Sequence, residues 1–342
     1  TYAHRHRGGE EAVSLLASLA MGGGAETSPV SNVSLPYPTP ATAPYNVDFL
    51  SPIPTPDGSG QTVHPDVVDF GKPWNGWRFW LAVTPYPGGR IQEENPCIYG
   101  SNDGYHWETP KGLTNPLDAG PNLAYSANSD TDLFFDKGSQ ELILTYRLYH
   151  TGTRRETLKL MRSADGVKWS EPVIIFDNDG SPTGDGGGVQ QYSSQALVRV
   201  AEGDYRMWTC GATNEPDKVF KASTATGPWT VQSTLSFGGT GRNPYHTDVI
   251  AGPDGRFWMI GCSNGVAFAS VSSDGVNWVS GKPILDARRS MWDSNIYRAT
   301  IQPHEDGKHM RAWYSAFRQD EGTGQVWRTA ITVIPRAEWG NL

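Results

Sequence analysis

Hydrophobic and polar positions repeat along the chain in five pairs of short segments. The first segment of each pair opens on polar residues and continues into a mostly apolar run, and these segments cover residues 64–70, 130–135, 194–200, 246–250 and 297–301. The second segment is richer in aromatic and aliphatic residues, and these segments cover 78–83, 141–146, 205–210, 256–262 and 310–315. Asp-Gly and similar turn sequences separate the two members of a pair, so each pair predicts an antiparallel hairpin.

A turn motif, Ser-x-Asp-Gly-x-x-Trp, follows three of these hairpins, at residues 101–107, 163–169 and 272–278, with a degenerate copy at 223–229. The glycine tolerates the positive φ of a tight turn, and the tryptophan begins the returning strand with a large apolar anchor. Successive tryptophans lie roughly 50 to 60 residues apart, a spacing typical of four-stranded propeller blades with variable loops. Five such units fill residues 62–336, so the sequence predicts an all-β fold, a five-bladed β-propeller.

The segment before the repeats has a different composition. Residues 12–21 predict a short helix, and the Gly-, Ser- and Pro-rich stretch that follows, to about residue 57, predicts an extended arm. The basic start resembles a secretory signal, but Glu10 and Glu11 argue against one. We therefore expect an N-terminal helix and attachment arm in residues 1–60 and the propeller in residues 61–342. Because no turn motif follows strand 325–333, we expect a strand from the arm to help close the ring.

Composition excludes two classes of partner. The net charge is −8, and no cluster of Lys and Arg is longer than a dipeptide, so a nucleic-acid-binding surface is not expected. No apolar run of 18 residues is present, so membrane insertion is not expected either. Cys97, Cys210 and Cys262 form no metal-binding or redox motif, and we expect them to be buried as small hydrophobic residues.

Candidate chemistry lies where the inner strands begin, because in a propeller these positions meet around one axis. Three blades contribute aspartates there and two contribute histidines. Convergent carboxylates raise one another's pKa and can serve as acid and base, whereas an aspartate that accepts backbone N–H groups would only join blades. The histidines and aspartates could also hold a central divalent cation, and no other cofactor is expected. Aligned by blade, the residues are His64 and Asp66, Asp130 and Asp132, Ser194 and Ala196, His246 and Asp248, and Tyr297 and Ala299 with Arg298 beside them.

The repeats and the aspartates of the inner strands resemble the five-bladed propellers of the arabinanase, xylosidase and fructosidase glycoside hydrolases. The resemblance implies a catalytic base at Asp66 and an orienting carboxylate at Asp132 or Asp248. It also implies a glutamic acid as general acid, but no inner strand opens with Glu, and Glu94 near the first blade is the substitute. Whether the chain is an enzyme is left open at this point, and the missing acid argues against it.

The first blade carries a second resemblance, through His64-Pro65-Asp66 and the segments 74–77, 84–87, 94–96 and 101–104. Together they resemble propeller modules of bacteriophage tail and receptor-binding proteins. The resemblance implies an oligomeric protein of the virion that attaches to other virion proteins through residues 1–60. Its propeller would bind a glycan on the host surface, with sugar rings stacking on exposed aromatic side chains. The candidate ligand-binding residues are His64, Trp74, Trp77, Asn95, Asp130, His246, Tyr297 and Arg298.

Three hypotheses follow. The preferred one is a virion tail protein that recognises host glycan. The second is a glycoside hydrolase that acts on cell-wall polysaccharide through Asp66, Asp132, Asp248 and Glu94. The third is an architectural propeller of the virion that binds no carbohydrate.

Overall fold

The computed structural model describes residues 38–120, 126–150, 155–177, 192–211, 216–320 and 324–342. These residues form five sheets, which are the blades of a five-bladed β-propeller, as predicted. Blade 1 contains β1 (Thr62–Trp74), β2 (Trp77–Pro85) and β3 (Cys97–Ser101). Blade 2 contains β4 (Ser126–Asp136), β5 (Glu141–His150), β6 (Arg155–Ser163) and β7 (Val173–Asp177). Blade 3 contains β8 (Tyr192–Ala201), β9 (Asp204–Gly211), β10 (Lys218–Ala222) and β11 (Thr230–Thr234).

Blade 4 contains β13 (His246–Ala251), β14 (Phe257–Ser263), β15 (Val266–Ser272) and β16 (Asn277–Leu285), and β12 (Ser236–Gly239) pairs in parallel with the outer edge of β16. Blade 5 contains β17 (Asn295–Pro303), β18 (His309–Asp320) and β19 (Gly324–Pro335). The inner strands around the axis are therefore β1, β4, β8, β13 and β17. One short helix, α1 (Ala337–Gly340), follows the last strand. Within the described ranges, no helix has the length and hydropathy needed to span a membrane.

The repeated turn motif joins neighbouring blades. In its first copy the Ser101 hydroxyl accepts the N–H of Gly104 (2.8 Å), and an oxygen of Asp103 accepts two further backbone N–H groups. Gly104 has a φ of +76°, and the ring of Trp313 from blade 5 lies against it and donates to its carbonyl oxygen (2.7 Å). Trp208 of blade 3 contacts Gly275 of blade 4 in the same way. The motif thus packs against an indole of the preceding blade. A side chain at the glycine position would crowd that indole, which is a second reason for the glycine.

The described part of the arm closes the ring by packing, without forming a strand. Residues 38–61 are all described and contain no strand, so this part of the arm does not supply the expected strand, and the rest of the arm lies outside the described residues. Instead, buried apolar side chains of the arm enter the core between blades 4, 5 and 1, where the backbone N–H of Ser51 donates to the carbonyl oxygen of Thr329 (2.9 Å). The predicted helix at residues 12–21 lies outside the described residues. The buried arm side chains are Tyr45, Val47, Phe49 and Ile53.

Blades 5 and 1 are also linked by ion pairs in which the arginines are buried and Glu305 is partly open to solvent. Arg78 lies 2.8 Å from Asp69 and 3.2 Å from Glu305, and Arg311 lies 2.5 Å from Glu305. Opposite charges from both blades therefore meet at this junction.

The three cysteines are buried, as predicted, and unpaired.

Asn46 fixes the loop that leads into the inner strand of blade 5. Its amide nitrogen donates to Asp293 (2.6 Å) and to the carbonyl oxygen of Asp286 (3.0 Å), and its amide oxygen accepts the N–H of Asp286 (2.9 Å). Asp293 is completely buried, so the pair is shielded from water. The arm thus determines the position of residues 286–294, which precede the candidate site.

We predict that Asn46→Ala lowers the free energy of unfolding by about 1–3 kcal/mol, because Asp293 and the backbone of Asp286 lose buried hydrogen bonds. Urea unfolding followed by tryptophan fluorescence measures this change. Gln232→Ala, at an exposed position of β11, is the control and should leave stability unchanged. Equal stability of the two variants would contradict the role of the arm.

Candidate active site at the propeller axis

The axis carries two layers of side chains at the start of the inner strands. An upper tier contains His64, Asp130, Ser194, His246 and Arg298, and a lower tier, two residues further along each strand, contains Asp66, Asp132, Ala196, Asp248 and Thr300. In three blades the upper residue, His64, Asp130 or Ser194, lies at a β-bulge with a φ between +52° and +57°. A non-glycine residue rarely adopts this conformation, and such positions concentrate at functional sites.

The fifth blade corrects the sequence alignment by one residue. In β17 the bulge falls at Tyr297, between Ile296 and Arg298. Arg298 and Thr300 therefore occupy the two tiers, whereas the alignment had placed Tyr297 and Ala299 there.

The lower tier joins blades. The carboxylates of Asp66, Asp132 and Asp248 are buried, and each accepts the N–H of a residue in the inner strand of the next blade. The Thr300 hydroxyl lies 2.8 Å from Asp66 and 2.9 Å from Asp248 and can donate to either. This geometry favours the structural alternative of the sequence analysis over the catalytic one for these three aspartates. The donors are Leu133 to Asp66 (2.8 Å), Leu197 to Asp132 (3.1 Å) and Ile301 to Asp248 (3.0 Å).

Crowding of three carboxyl groups changes their proton affinity. Burial raises the pKa of Asp66, and burial together with the charge of Asp66 raises the pKa of Asp132 well above its usual value. The same two causes raise the pKa of Asp248 to about 7. Arg298 opposes these shifts, because its positive charge stabilises the ionised carboxylates. The lower tier therefore retains protons near neutral pH, and Arg298 is the counter-ion for the negative charge that remains.

The upper tier centres on Asp130. One carboxylate oxygen, Oδ1, lies 3.2 Å from Nε2 of His64, 3.3 Å from Nδ1 of His246 and 3.6 Å from Nη1 of Arg298. The other oxygen, Oδ2, lies 2.7 Å from Nη2 of Arg147. Burial acts to raise the pKa of Asp130, but the charge of Arg147 outweighs it and holds this pKa well below its usual range, so Asp130 is ionised.

Arg147 positions Asp130 and is positioned in turn by Glu156, whose carboxylate lies 2.8 Å from its Nη1. Sequence reasoning missed Arg147, because it lies in β5, the second strand of blade 2, and only inner strands were searched. Arg147 thus bridges Glu156 and Oδ2 of Asp130, and Oδ1 is left to face the two imidazoles.

Both histidines are neutral in this environment. Burial lowers the pKa of His64 well below its usual value and also lowers the pKa of His246. Nδ1 of His64 lies 3.2 Å from the Thr84 hydroxyl, which donates to the carbonyl oxygen of Val63 (3.2 Å), and 3.2 Å from the N–H of Asp130. Because the N–H of Asp130 donates to Nδ1, this nitrogen is an acceptor and the proton of the neutral ring lies on Nε2, which faces Oδ1 of Asp130. A metal ion bound at Nε2 would take the place of this proton.

The upper tier contains buried polar atoms with no hydrogen-bond partner among the described residues: Nε2 of His64, Oδ1 of Asp130, both ring nitrogens of His246 and all three side-chain nitrogens of Arg298. Ligand atoms of His64, Asp130 and His246 lie within 4.8 Å of one another. Two neutral imidazoles and a carboxylate suit a divalent transition metal or zinc. The donor set of the upper tier therefore fits a metal ion, in agreement with the cation that the sequence analysis allowed at the axis.

Glu94 and Asn95 lie at the rim of the same end of the axis. Burial, and then the charge of Asp130, raise the pKa of Glu94 to about 8, so this carboxyl group is mostly protonated at neutral pH. Asn95 accepts the N–H of Gly120 (2.8 Å) and the amide of Asn128 (3.3 Å), which fixes the loop that carries Glu94.

A cavity of about 460 Å³ opens beside the upper tier, between blades 4, 5 and 1. Tyr297 lines it, and the Tyr297 ring also contacts the imidazoles of His246 and His64, with centroid distances of 4.3 and 5.6 Å. Tyr86, one of the first-blade aromatic residues that the sequence suggests for sugar stacking, and Tyr245, which the sequence did not indicate, are further aromatic residues of the wall. Tyr245 directly precedes the inner strand of blade 4, a position that the alignment did not include.

Trp74 and Trp77 lie elsewhere. They flank the hairpin turn at the far end of β1, ten residues and roughly 30 Å along the strand from His64. Trp74 stacks on Phe70 (4.8 Å between centroids), and Trp77 lies over Gly100. The structure therefore does not bring these tryptophans together with the axial residues.

Comparison with known proteins gives one curated relative and a group of structural neighbours, while no family model matches the chain. The chain is 28% identical over 320 residues to the A type blood N-acetyl-alpha-D-galactosamine deacetylase of Flavonifractor plautii. That alignment covers 78% of this chain, and the chain spans 41% of the length of that relative.

Solved structures agree on the fold. A crystal structure of an N-acetylgalactosamine deacetylase from F. plautii, in complex with blood group B trisaccharide, has a TM-score of 0.70 at 24% identity, over 87% of this chain and 96% of that one. An exo-β-1,3-galactanase from Phanerochaete chrysosporium has a TM-score of 0.52 at 11% identity, over 84% of this chain and 64% of that one. A family 43 β-xylosidase/α-arabinofuranosidase from a compost metagenome has a TM-score of 0.52 at 12% identity, over 80% and 91%. The five-bladed fold of glycoside-hydrolase type is thus confirmed.

These findings correct the preferred functional hypothesis. The curated relative and the structural neighbours named above are carbohydrate-active enzymes. The assignment as a virion tail protein is therefore wrong. The first-blade segments that suggested it belong to a propeller type that enzymes share.

Asp217 allows the effect of burial on the pKa of a carboxyl group to be tested at this end of the molecule. It is buried between β9 and β10, one carboxylate oxygen accepts the N–H of Gly211 (2.8 Å), and burial raises its pKa to about 6. A raised pKa means that the folded state prefers the protonated carboxyl, so the stabilisation is complete below about pH 4 and is lost as the pH rises through 6. In the unmodified protein this carboxyl should lower the free energy of unfolding by on the order of 2 kcal/mol as the pH rises from 4 to 7. We predict that this decrease is absent from Asp217→Asn, whose amide does not ionise.

Urea unfolding at pH 4.5, 6 and 7.5 measures this dependence. Asp254→Asn is the control: hydrogen bonds from Arg256 outweigh burial and lower the pKa of Asp254 from 3.8, so its titration lies below this pH range and the variant should leave the pH profile unchanged. A pH profile of Asp217→Asn identical to that of the unmodified protein would contradict the assignment.

Proposed function

We propose that the chain is a carbohydrate-active hydrolase that removes the acetyl group from an N-acetylated amino sugar. One observation carries the proposal: a buried His64–Asp130–His246 cluster, suited to a divalent metal, lies at the axis with Glu94 at its rim. The relationship to an N-acetylgalactosamine deacetylase supports the same reaction.

Burial of the cluster favours an acetamide over a glycosidic bond as its target. His64, Asp130 and His246 are each at most 2% exposed, so only a small group can approach them. An acetamido group projects from a sugar ring on a single bond, whereas a glycosidic oxygen is enclosed by two rings. Glycoside hydrolysis also needs two accessible carboxyl groups on opposite sides of the bond, and the three axial aspartates are bonded to backbone N–H groups below the cluster.

The reaction adds the oxygen of water to the acetyl carbonyl carbon and breaks the C–N bond. The acetyl group leaves as acetate, and the nitrogen takes a proton and remains on the sugar as an amine. Glu94 is suited to accept the proton of the water and return it to the nitrogen, because its raised pKa makes both protonation states accessible near neutral pH.

Arg298 is suited to the developing negative charge on the carbonyl oxygen. Its guanidinium is completely buried, and none of its nitrogens has a hydrogen-bond partner among the described residues. Donors held in place before the reaction stabilise such an oxyanion without reorganisation. A metal ion held by His64, Asp130 and His246 would polarise the carbonyl and lower the pKa of a bound water.

We predict that the chain releases acetate from N-acetylgalactosamine or N-acetylglucosamine glycosides. Glu94→Gln should lower kcat by about 100-fold or more, because the amide cannot transfer a proton. An enzyme-coupled acetate assay measures the rate, and a reducing-sugar assay runs in parallel. Asn75→Gly, in the turn at the far end of β1, is the control and should retain full activity. Release of reducing sugar without acetate would contradict deacetylation, as would an unchanged kcat in Glu94→Gln.

We further predict that a divalent metal stabilises the fold through the cluster. Dialysis against a chelator should lower the melting temperature, and Zn²⁺, Mn²⁺ or Co²⁺ should restore it, because only the folded state assembles the three ligands. In His246→Ala the melting temperature should no longer respond to metal. Co²⁺ absorption gives a readout that does not depend on activity. A chelator-insensitive melting temperature, with no Co²⁺ spectrum, would contradict the metal site.

A further inference from the structure

The cavity beside the candidate active site is large enough for a sugar unit and lies next to the upper tier. Its volume of about 460 Å³ falls in the range of small-molecule sites. Tyr297 lines the cavity and also contacts the upper tier, because its ring lies against His246 as well as against Trp327 of the cavity wall (ring centroids 4.3 and 5.0 Å away). A ligand in the cavity is therefore adjacent to any group that reaches the cluster.

Aromatic rings line the cavity on several sides. Tyr86 and Trp327 contact each other (5.0 Å between centroids), and Tyr245 extends the surface toward Tyr297 (6.3 Å). Tyr245 is 51% exposed, an unusual value for a large aromatic side chain that lines a cavity. Flat rings of this kind pack against the C–H faces of sugars, while their hydroxyl groups remain able to bond hydroxyl groups of the ligand.

Side-chain amides provide the polar part of the lining. Asn264 lies in a two-residue hairpin turn with Gly265, where φ is +53° and +77°, and Gly265 pairs with Ile296 across the blade junction. The turn is therefore held on both sides. Asn295 and Gln325 complete the set. An amide offers both donors and an acceptor, which matches the hydroxyl groups of a sugar.

Charge is absent from this lining. None of the described residues that line the cavity is Asp, Glu, Lys, Arg or His. Arg288, in the nearby loop, is already bonded to Asp293 (2.9 Å) and Asp48 (2.6 Å). A carboxylate brought into the cavity would lose water without gaining a cation, which is costly. The lining therefore favours a neutral ligand over an acidic one.

We propose that this cavity binds a neutral hexose unit that is itself not modified and that adjoins the reacting amino sugar. The substrate class is then a neutral oligosaccharide of at least two units, and Tyr245 and Asn264 are specificity-determining residues. The statement that the neighbouring amino sugar loses its acetyl group rests on the proposed function. Binding of the neutral hexose in the cavity does not rest on it.

Isothermal titration calorimetry with the full chain tests the cavity directly. Lactose is the neutral probe, which carries no acetyl group, and digalacturonic acid is the acidic probe. We expect lactose to bind and digalacturonic acid not to bind. Tyr245→Ala should weaken lactose binding about tenfold, and Asn264→Gly about three- to tenfold, since each loses one stacking or hydrogen-bonding contact.

Asn264→Gly is chosen because glycine keeps the positive φ of the turn, so the fold is retained. Asn75→Gly is its matched control: Asn75 also precedes a glycine in a two-residue turn, with a φ of +49°, at the far end of β1. Circular dichroism and melting temperature establish that each variant is folded. Equal lactose affinity of the two glycine variants, no lactose binding to the unmodified chain, or binding of digalacturonic acid as tight as that of lactose would each overturn the proposal.

Acetate release from an N-acetylated disaccharide separates this proposal from the proposed function. Lactose binding that depends on Asn264, in a chain that releases no acetate, supports the cavity and contradicts deacetylation. Acetate release with the same KM in Asn264→Gly as in Asn75→Gly contradicts the cavity and supports deacetylation.

Discussion

Unpaired backbone N–H groups at the axis are the constraint on which the rest of the structure depends. Each inner strand is the edge of its sheet, so one row of its N–H groups faces the axis without a strand partner. The axis is closed to water at this depth, and a buried N–H group must therefore find an acceptor within the protein. Asp66, Asp132 and Asp248 supply that acceptor to the next blade, and in doing so they hold neighbouring blades in register.

This solution places several carboxyl groups within a few ångströms of one another, and the consequences extend to the upper tier. Burial and mutual repulsion leave protons on the lower aspartates, and Arg298 compensates the charge that remains. Asp130 is different, because the charge of Arg147 keeps it ionised. Two layers only two residues apart thus differ in protonation, the lower one suited to joining blades and the upper one to binding a cation or a substrate.

The sequence predicts the propeller, its blade count and most of the axial residues, since these follow from a repeated pattern and one strand geometry. It does not predict the shift in blade 5, because the bulge at Tyr297 depends on how β17 pairs with β18. Arg147, Tyr245 and Asn264 were missed for a related reason. They lie on second strands or in turns, and only the assembled ring brings them to the axis. Trp74 and Trp77 were grouped with Asp66 because they are near in sequence, but an extended strand carries them to the opposite end of the molecule.

The contrast between the tiers also argues against a purely structural role for the upper one. Side chains kept only to join blades would have their hydrogen bonds completed, as the lower aspartates do. In the upper tier, atoms of His64, Asp130, His246 and Arg298 are buried with no such bonds among the described residues. Each unsatisfied group costs about 1–3 kcal/mol, and the strained backbone at His64 and Asp130 adds to that cost. A fold that retains such a cluster beside a neutral, aromatic cavity is arranged around something that binds there.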